Sequence, residues 1–242
     1  AEVQGKNAVV NIETTVENLG LSSSNATVSS YITDRDGRKL GQTKEQPLSL
    51  SVNGKSTTKQ KLTITNPRLW SLEDPYLYRV VSVINSGGKT IDIVKDRFGV
   101  RTFRFDATEG FFLNGKHMKL QGTNNHQDHA GVGSALPDYL QYYRINLLKN
   151  MGVNAYRTSH NPPTPELLDA CDSLGMLVMD ETRLLNSSAE YMDQFVRMVL
   201  RDRNHASIFM WSIGNEEGWV HTISIGKRIA QTLLAKQKEL DP

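Results

Sequence analysis

Four short stretches of the chain carry the residue types that acid–base chemistry uses. They are GTNNHQDH (residues 122–129), RTSHNPP (157–163), DETR (180–183) and GNEE (214–217). Carboxylates flanked by amide and imidazole groups suit the cleavage of a glycosidic bond. One carboxyl group protonates the leaving oxygen, and a second stabilises or attacks the sugar carbon. Other chemistries lack their residues. The sequence holds no HExxH, CxxC, GxSxG, P-loop or GxGxxG pattern, so the six histidines do not read as a structural zinc site. One polar loop of this kind is ordinarily just solvated. Four in succession, each behind an apolar run, point to a shared site.

The apolar runs are the elements that must position those loops. Strands are predicted at 119–122, 155–158, 177–180 and 208–212. They alternate with helices predicted at 137–151, 165–174, 188–204 and 220–240. The second helix is punctuated by Thr164 as N-cap, Pro165 in its first turn and Gly175 past its end. Such alternation predicts a parallel sheet with crossover helices, whose sites form at the C-terminal ends of the strands. Four β/α units leave two architectures open. A doubly wound sheet would be complete, whereas a (β/α)8 barrel of ~250 residues would be half built.

Residues 1–103 have a different texture. Val10, Ile12, Thr14 and Val16 alternate with polar neighbours, the period of a half-buried strand. The β-rich runs 26–32 and 76–84 are separated by turn signals at Asp36-Gly37, Asn53-Gly54 and Gly87-Gly88. These imply a β-sandwich of about a hundred residues. Residues 104–242 form the second domain, opening on a hairpin around Asn114-Gly115.

Composition is that of a globular protein, 38% hydrophobic and 22% charged over 242 residues. A net charge of +2, from 28 basic and 26 acidic residues, makes no electrostatic case for nucleic acid or an anionic membrane. No apolar run approaches the ~18 residues that span a bilayer. The single Cys171 cannot form an internal disulfide. The sequons at Asn25 and Asn186 are short enough to be chance.

Longer motifs carry a resemblance. DRNHASIFMWSIGNE (202–216) resembles the acid/base signature of glycoside hydrolase family 2, the family of β-galactosidases and β-glucuronidases. NAYRTSHNPPTPELLDACDSLGMLVMDE (154–181) is similar to the family's other signature, and FFLNGKHMKLQGTNNHQDH (111–129) to its first barrel strand. NPRLWSLEDPYLY (66–78) and RFGVRT (97–102) resemble its immunoglobulin-like domain. The resemblance implies an immunoglobulin-like β-sandwich followed by a partial, truncated TIM barrel of four β/α units, and retaining hydrolysis of a β-glycoside.

Roles follow residue by residue. The resemblance makes Glu216 the general acid/base and Asn215 a contact near the sugar 2-hydroxyl. His160 and His126 would line the sugar site, and Arg157 would lie near the carboxylates. Glu217, Asp180 and Glu181 read as solvated or supporting groups. A glutamate that donates a proton near neutral pH needs a raised pKa, which burial and a nearby anion would supply. Trp211 or Trp219 could wall the site or stack on a sugar, though core packing is the plainer reading of either.

The chain also departs from the pattern. Asn161 stands where the family usually has tyrosine. Leu185 and Ser187 occupy the positions that bind magnesium in β-galactosidases, so no cofactor is expected. The family's nucleophile lies on a later strand, beyond Pro242, and the domain before the sandwich is missing. An internal fragment is therefore expected, inactive alone, with exposed strand edges that favour self-association. The implied substrate is a β-linked galactoside or oligosaccharide. A β-glucuronidase or β-mannosidase parent, a non-catalytic carbohydrate-binding or scaffold module, and an unrelated four-stranded α/β enzyme are the alternatives.

Overall fold

The computed structural model describes residues Ala1–Pro242, with the side chain of Trp219 outside the description. The chain divides into two compact units: Ala1–Trp70 with Tyr76–Thr102, and Ser71–Pro75 with Phe103–Pro242.

The first unit is all-β. Its strands are β1 (Glu2–Gln4), β2 (Asn7–Glu17), β3 (Ser24–Thr33), β4 (Lys39–Gln42), β5 (Gln46–Leu50), β6 (Lys55–Thr65), β7 (Tyr78–Ser86) and β8 (Lys89–Phe98). One sheet runs β1-β2-β6 and the other β4-β3-β7-β8, with β5 also on β3. The period-two pattern of β2 buries Ala8, Val10 and Ile12 on one face. With Ile64 of β6 they pack against Ile32 of β3, Tyr78 of β7 and Val100. Two antiparallel sheets facing each other across such a core make an immunoglobulin-like sandwich. Each large apolar side chain buried there stabilises by about 1.5–3 kcal/mol.

The second unit opens with an antiparallel sheet of β9 (Phe103–Asp106), β10 (Gly110–Leu113) and β11 (Lys116–Met118). Asn114 and Gly115 take φ of 52° and 77°, the left-handed pair that a two-residue hairpin turn demands. Then come β12 (Gly122–Asn125), α1 (Asp138–Asn150), β13 (Ala155–Thr158), α2 (Pro165–Leu174), β14 (Leu177–Glu181), α3 (Ala189–Asp202), β15 (Ile208–Ser212), α4 (Gly218–His221) and α5 (Ser224–Leu240).

The four parallel strands lie in the order β12-β13-β14-β15. Neighbours follow chain order without reversal. A doubly wound sheet must reverse at its switch point, so the order is that of half a TIM barrel. Tyr156, Val178 and Ile208 project from successive strands onto Ile145 of α1 and Leu167, Leu168 and Cys171 of α2. On the other face, Phe209 stacks with Phe105 of β9 and meets Phe111 of β10 edge-on. Gly175 ends α2 at φ 75°, donating to the Cys171 carbonyl. Among the described residues, no helix is long and apolar enough to cross a membrane.

Two predicted elements move. The first barrel strand begins at Gly122, not residue 119. Its four residues, GTNN, hold no apolar side chain that a hydrophobic pattern could register. Gly122 is chosen by contact instead, since a Cβ there would lie 3.0 Å from the Ala155 carbonyl oxygen. The last helix is two. Ile223 is extended between α4 and α5, and Gly226 lies so close under Val220 that a Cβ would sit 2.1 Å from its carbonyl oxygen.

Candidate active site

Strand alternation divides the acidic pair at the end of β14. Successive side chains point to opposite faces of a strand. Asp180 therefore shares the helix-facing side with Val178, where it meets Asp202 of α3 and accepts from Thr158 Oγ1 at 3.4 Å. Burial, then the Asp202 charge, then a hydrogen bond with Asp202 push the Asp180 carboxyl well above the usual carboxylate range. Its Oδ2 has no donor, and a carboxyl pushed up in this way suits a proton kept on Asp180 beside its buried neighbour. Asp202 is also held by Arg201, whose guanidinium reaches the Pro163 carbonyl.

Glu181 takes the opposite face and is wholly buried. Three side chains converge on it: Arg157 Nε donates at 2.5 Å and Ser212 Oγ at 2.9 Å, and His160 Nδ1 lies 2.7 Å from Oε1. Its own N–H donates to Thr158 Oγ1 at 2.9 Å. A buried carboxylate is tolerated when charge and hydrogen bonds are both answered, and the Arg157 guanidinium answers the charge. One side chain thus joins the ends of β13, β14 and β15.

The same guanidinium extends the network. Arg157 Nη2 donates to Asn215 Oδ1 at 2.7 Å. The Asn215 N–H donates to Glu217 Oε2 at 3.0 Å, and His221 Nε2 lies 3.5 Å from that oxygen. His126 and His160 meet edge-to-face with ring centroids 5.2 Å apart. The His126 loop is pinned by Arg144 of α1, which donates to the His126 carbonyl at 2.7 Å. Gln127 donates to the Pro162 carbonyl at 2.7 Å and links it to the next loop.

Arg157, His160, Asn215 and His126 are thereby gathered at one end of the sheet. Glu216 follows Asn215 directly, four residues beyond the end of β15. It is held by its loop and not by a strand. Its side chain is exposed, so the expected burial is not provided by the four-stranded arc. Of the two readings offered for Glu181, Asp180 and Glu217, solvated or supporting, burial leaves the supporting one. Trp211 takes the plainer of its two readings: it packs on the helix-facing side, against the core around Val178 and Ile208 and against Phe195 and Leu233, and donates Nε1–H to Asp241, which removes it from the sugar side. The same suggestion for Trp219 falls outside the described residues. Ser212 is the polar residue of this network that the motifs did not single out, and Glu181 was named there only as a solvated or supporting group. Parity was an available signal for Arg157 and Glu181, which alternate with the helix-facing Tyr156 and Asp180; at Ser212 a register shift between β14 and β15 breaks the alternation that Ile208 begins.

Metal ligands are poorly provided. Leu185 is buried with Phe195, Val199 and Leu233 and offers no oxygen, so the positions that the resemblance assigns to magnesium do not fit that ion. Asp169, Asp172 and His205 lie within 4.8 Å of one another. Both Asp172 oxygens are already engaged, by His205 Nδ1 and the Ser207 N–H, each at 2.8 Å. Burial opposes charge on the His205 ring, but the Asp172 hydrogen bond and charge outweigh it and raise the His205 pKa. Through these two bonds Asp172 anchors α2 to the segment entering β15.

Comparison with known proteins bears on both units. The pattern of Glycosyl hydrolases family 2 matches residues 1–101, and that of the Glycosyl hydrolases family 2 TIM barrel domain matches 106–189 and 185–242. The β-galactosidase BoGH2A of Bacteroides ovatus is 38% identical over 234 residues, covering 90% of this chain and 27% of that protein. A solved glycosyl hydrolase family 2 member from Bacteroides cellulosilyticus superposes with a TM-score of 0.87 at 37% identity, over 98% of this chain and 33% of that one. Bacteroides uniformis β-glucuronidase superposes with a TM-score of 0.86 at 29% identity, over 99% and 31%. The chain spans about a quarter to a third of these relatives' length. Both the motifs and the order of the strands find their counterpart in one place: this chain belongs to glycosyl hydrolases family 2.

Proposed function

We propose that the intact protein is a retaining β-glycosidase, most simply a β-galactosidase, in which Glu216 is the general acid/base. One observation carries this reading. Arg157, at the end of the second barrel strand, is bonded to Asn215, the residue before Glu216. The Glu216 loop is therefore tied to the strand ends where His160 and His126 also lie. In this role Asn215, His160 and His126 bind the sugar and Arg157 orients the amide beside the acid. A β-linked galactoside or oligosaccharide is the substrate, and the reading needs no cofactor.

A neutral sugar comes first because the Arg157 charge is already committed to Glu181. A β-glucuronidase is the second reading, favoured by the likeness to the Bacteroides uniformis enzyme. Retaining chemistry needs a second carboxylate about 5–5.5 Å from the acid. Glu181 is bonded to Arg157, His160 and Ser212, Asp180 faces the helices and Glu217 holds the Asn215 N–H. None of these stands ready as a nucleophile, so the 242-residue chain alone is expected to be inactive. Its sheet edges at β12 and β15 favour association with a second copy.

The test is a panel of nitrophenyl β-galactoside, β-glucuronide and β-mannoside on the intact protein. Turnover of the galactoside is expected, and Glu216→Gln should reduce it by about 10²–10⁴-fold, as loss of a general acid does. Turnover that survives this substitution, or none on any of the three sugars, would sink the assignment.

A further inference from the structure

We propose that Glu181 is a positioning residue that holds the His160 ring in its Nδ1–H tautomer, presenting Nε2 as a hydrogen-bond acceptor to a sugar hydroxyl. The use of Nε2 on a sugar rests on the glycosidase reading; the tautomer does not.

The geometry argues for a carboxylate and nothing else at this position. An ionised carboxylate is acceptor-only, with about four lone-pair sites on two oxygens. Glu181 spends Oε1 on His160 Nδ1 at 2.7 Å, and Oε2 on Arg157 Nε at 2.5 Å and Ser212 Oγ at 2.9 Å. Every partner must donate. A glutamine there would turn an amide N–H₂ against either the arginine or the imidazole. An aspartate would fall one methylene short of three strands at once. The ring nitrogen facing Glu181 therefore carries the proton, and the opposite nitrogen carries the lone pair, since the hydrogen bond at one nitrogen sets the state of the other.

Glu181 is wholly buried and also paired with the Arg157 guanidinium, so its two oxygens are fixed in place and the ring must meet them as they stand. The His160 side chain is 28% exposed, so the ring borders the open side of the sheet. There it meets the edge or face of His126 at 5.2 Å. A hydroxyl arriving at Nε2 can donate to it. By the same bonds Glu181 holds Arg157 where its other nitrogen reaches Asn215. One buried group therefore sets the orientation of two residues assigned to the sugar.

The experiment reads the nitrogen-15 shifts of the His160 ring in the intact protein, labelled on histidine, at mildly alkaline pH. A His160→Gln sample identifies the resonance. The expected pattern is a protonated Nδ1 and a bare Nε2. In Glu181→Gln, shown folded by circular dichroism, the pattern should move toward Nε2–H. A wild-type ring protonated on Nε2, or on both nitrogens, overturns the proposal, as does a folded Glu181→Gln with an unchanged tautomer. Should that variant not fold, the wild-type ring decides alone.

In the intact protein, Glu181→Gln should lower kcat by about 10–100-fold, the usual loss when a supporting residue is removed. KM should change less. Combined with His160→Gln, the loss should be smaller than the product of the two single losses, because both act through one ring. An unchanged kcat in an active enzyme overturns the positioning role. Absence of turnover by the wild type would instead overturn the glycosidase reading and leave the tautomer result standing.

Discussion

At the scale of the residue, Gly214 shows how closely this site is packed. It lies between Ser212, which bonds Glu181, and the Asn215–Glu216 pair. A Cβ on Gly214 would sit 2.6 Å from Leu185 Cβ and 3.1 Å from Leu185 backbone atoms. Backbone cannot yield as a flexible side-chain tip can, so Gly214→Ala must move the loop. A displacement of about 1 Å at a reacting group can cost up to ~10²-fold in rate. The variant of the intact protein is expected to lose about tenfold or more in kcat/KM while keeping its circular dichroism spectrum. Wild-type kinetics would mean that the loop position is not critical. Residue identity was legible here only in part. The pattern GNEE singled out Glu216 and Asn215 but could not tell the exposed Glu216 from the buried Glu217. Adjacent glutamates look alike until a fold turns one to solvent and the other onto an N–H.

The elements divide labour between their two faces, and Asp180 belongs to the structural one. Its carboxyl is pushed up by burial first, then by the charge of Asp202 and the hydrogen bond with it. In the unfolded chain the proton leaves near the ordinary value of 3.8. The folded state keeps it to higher pH and so binds more protons between those two values. Stability linked to Asp180 is therefore fully present below the unfolded value and is lost as pH rises through the raised folded one. Asp180→Asn supplies a fixed N–H donor in place of that proton. The variant should melt higher than wild type at alkaline pH, and its Tm should fall less between acid and alkaline buffer. Each 1 kcal/mol regained corresponds to about 2–4 °C in a chain of this size. Parallel melting curves for the two proteins across pH would show that the pair shares no proton. Helix boundaries were largely legible: α2 was bounded by Pro165 and Gly175 as read from sequence. The first barrel strand was not, because GTNN owes its place to close approach and inward polar groups.

At the scale of the whole chain, the arc of four strands ends on two open edges, β12 and β15. Unpaired edge N–H and C=O groups are a template for another chain. Sedimentation of the 242-residue chain should show a dimer or larger species that dissociates on dilution. A sharp monomer at every concentration would count against edge pairing. The same four strands explain why composition could not choose between architectures. A doubly wound sheet and a half barrel both read as alternating apolar strands and amphipathic helices. They differ only in which strand lies beside which, a fact of space that no local pattern encodes.

The amino-acid sequence by itself determined the two textures of this chain, the β-rich first unit and the β/α second, because side-chain periodicity follows directly from strand and helix geometry. It also marked Glu216, Asn215, His160, His126 and Arg157 through motifs long enough to be specific. Only the tertiary structure decided that Glu181 is the buried carboxylate on which Arg157, His160 and Ser212 converge. It alone separated Asp180 from Glu181 by a strand's thickness. The reason is physical: a hydrogen bond between residues more than twenty positions apart depends on strand register and on the face each residue takes, and both are settled only when the strands pack.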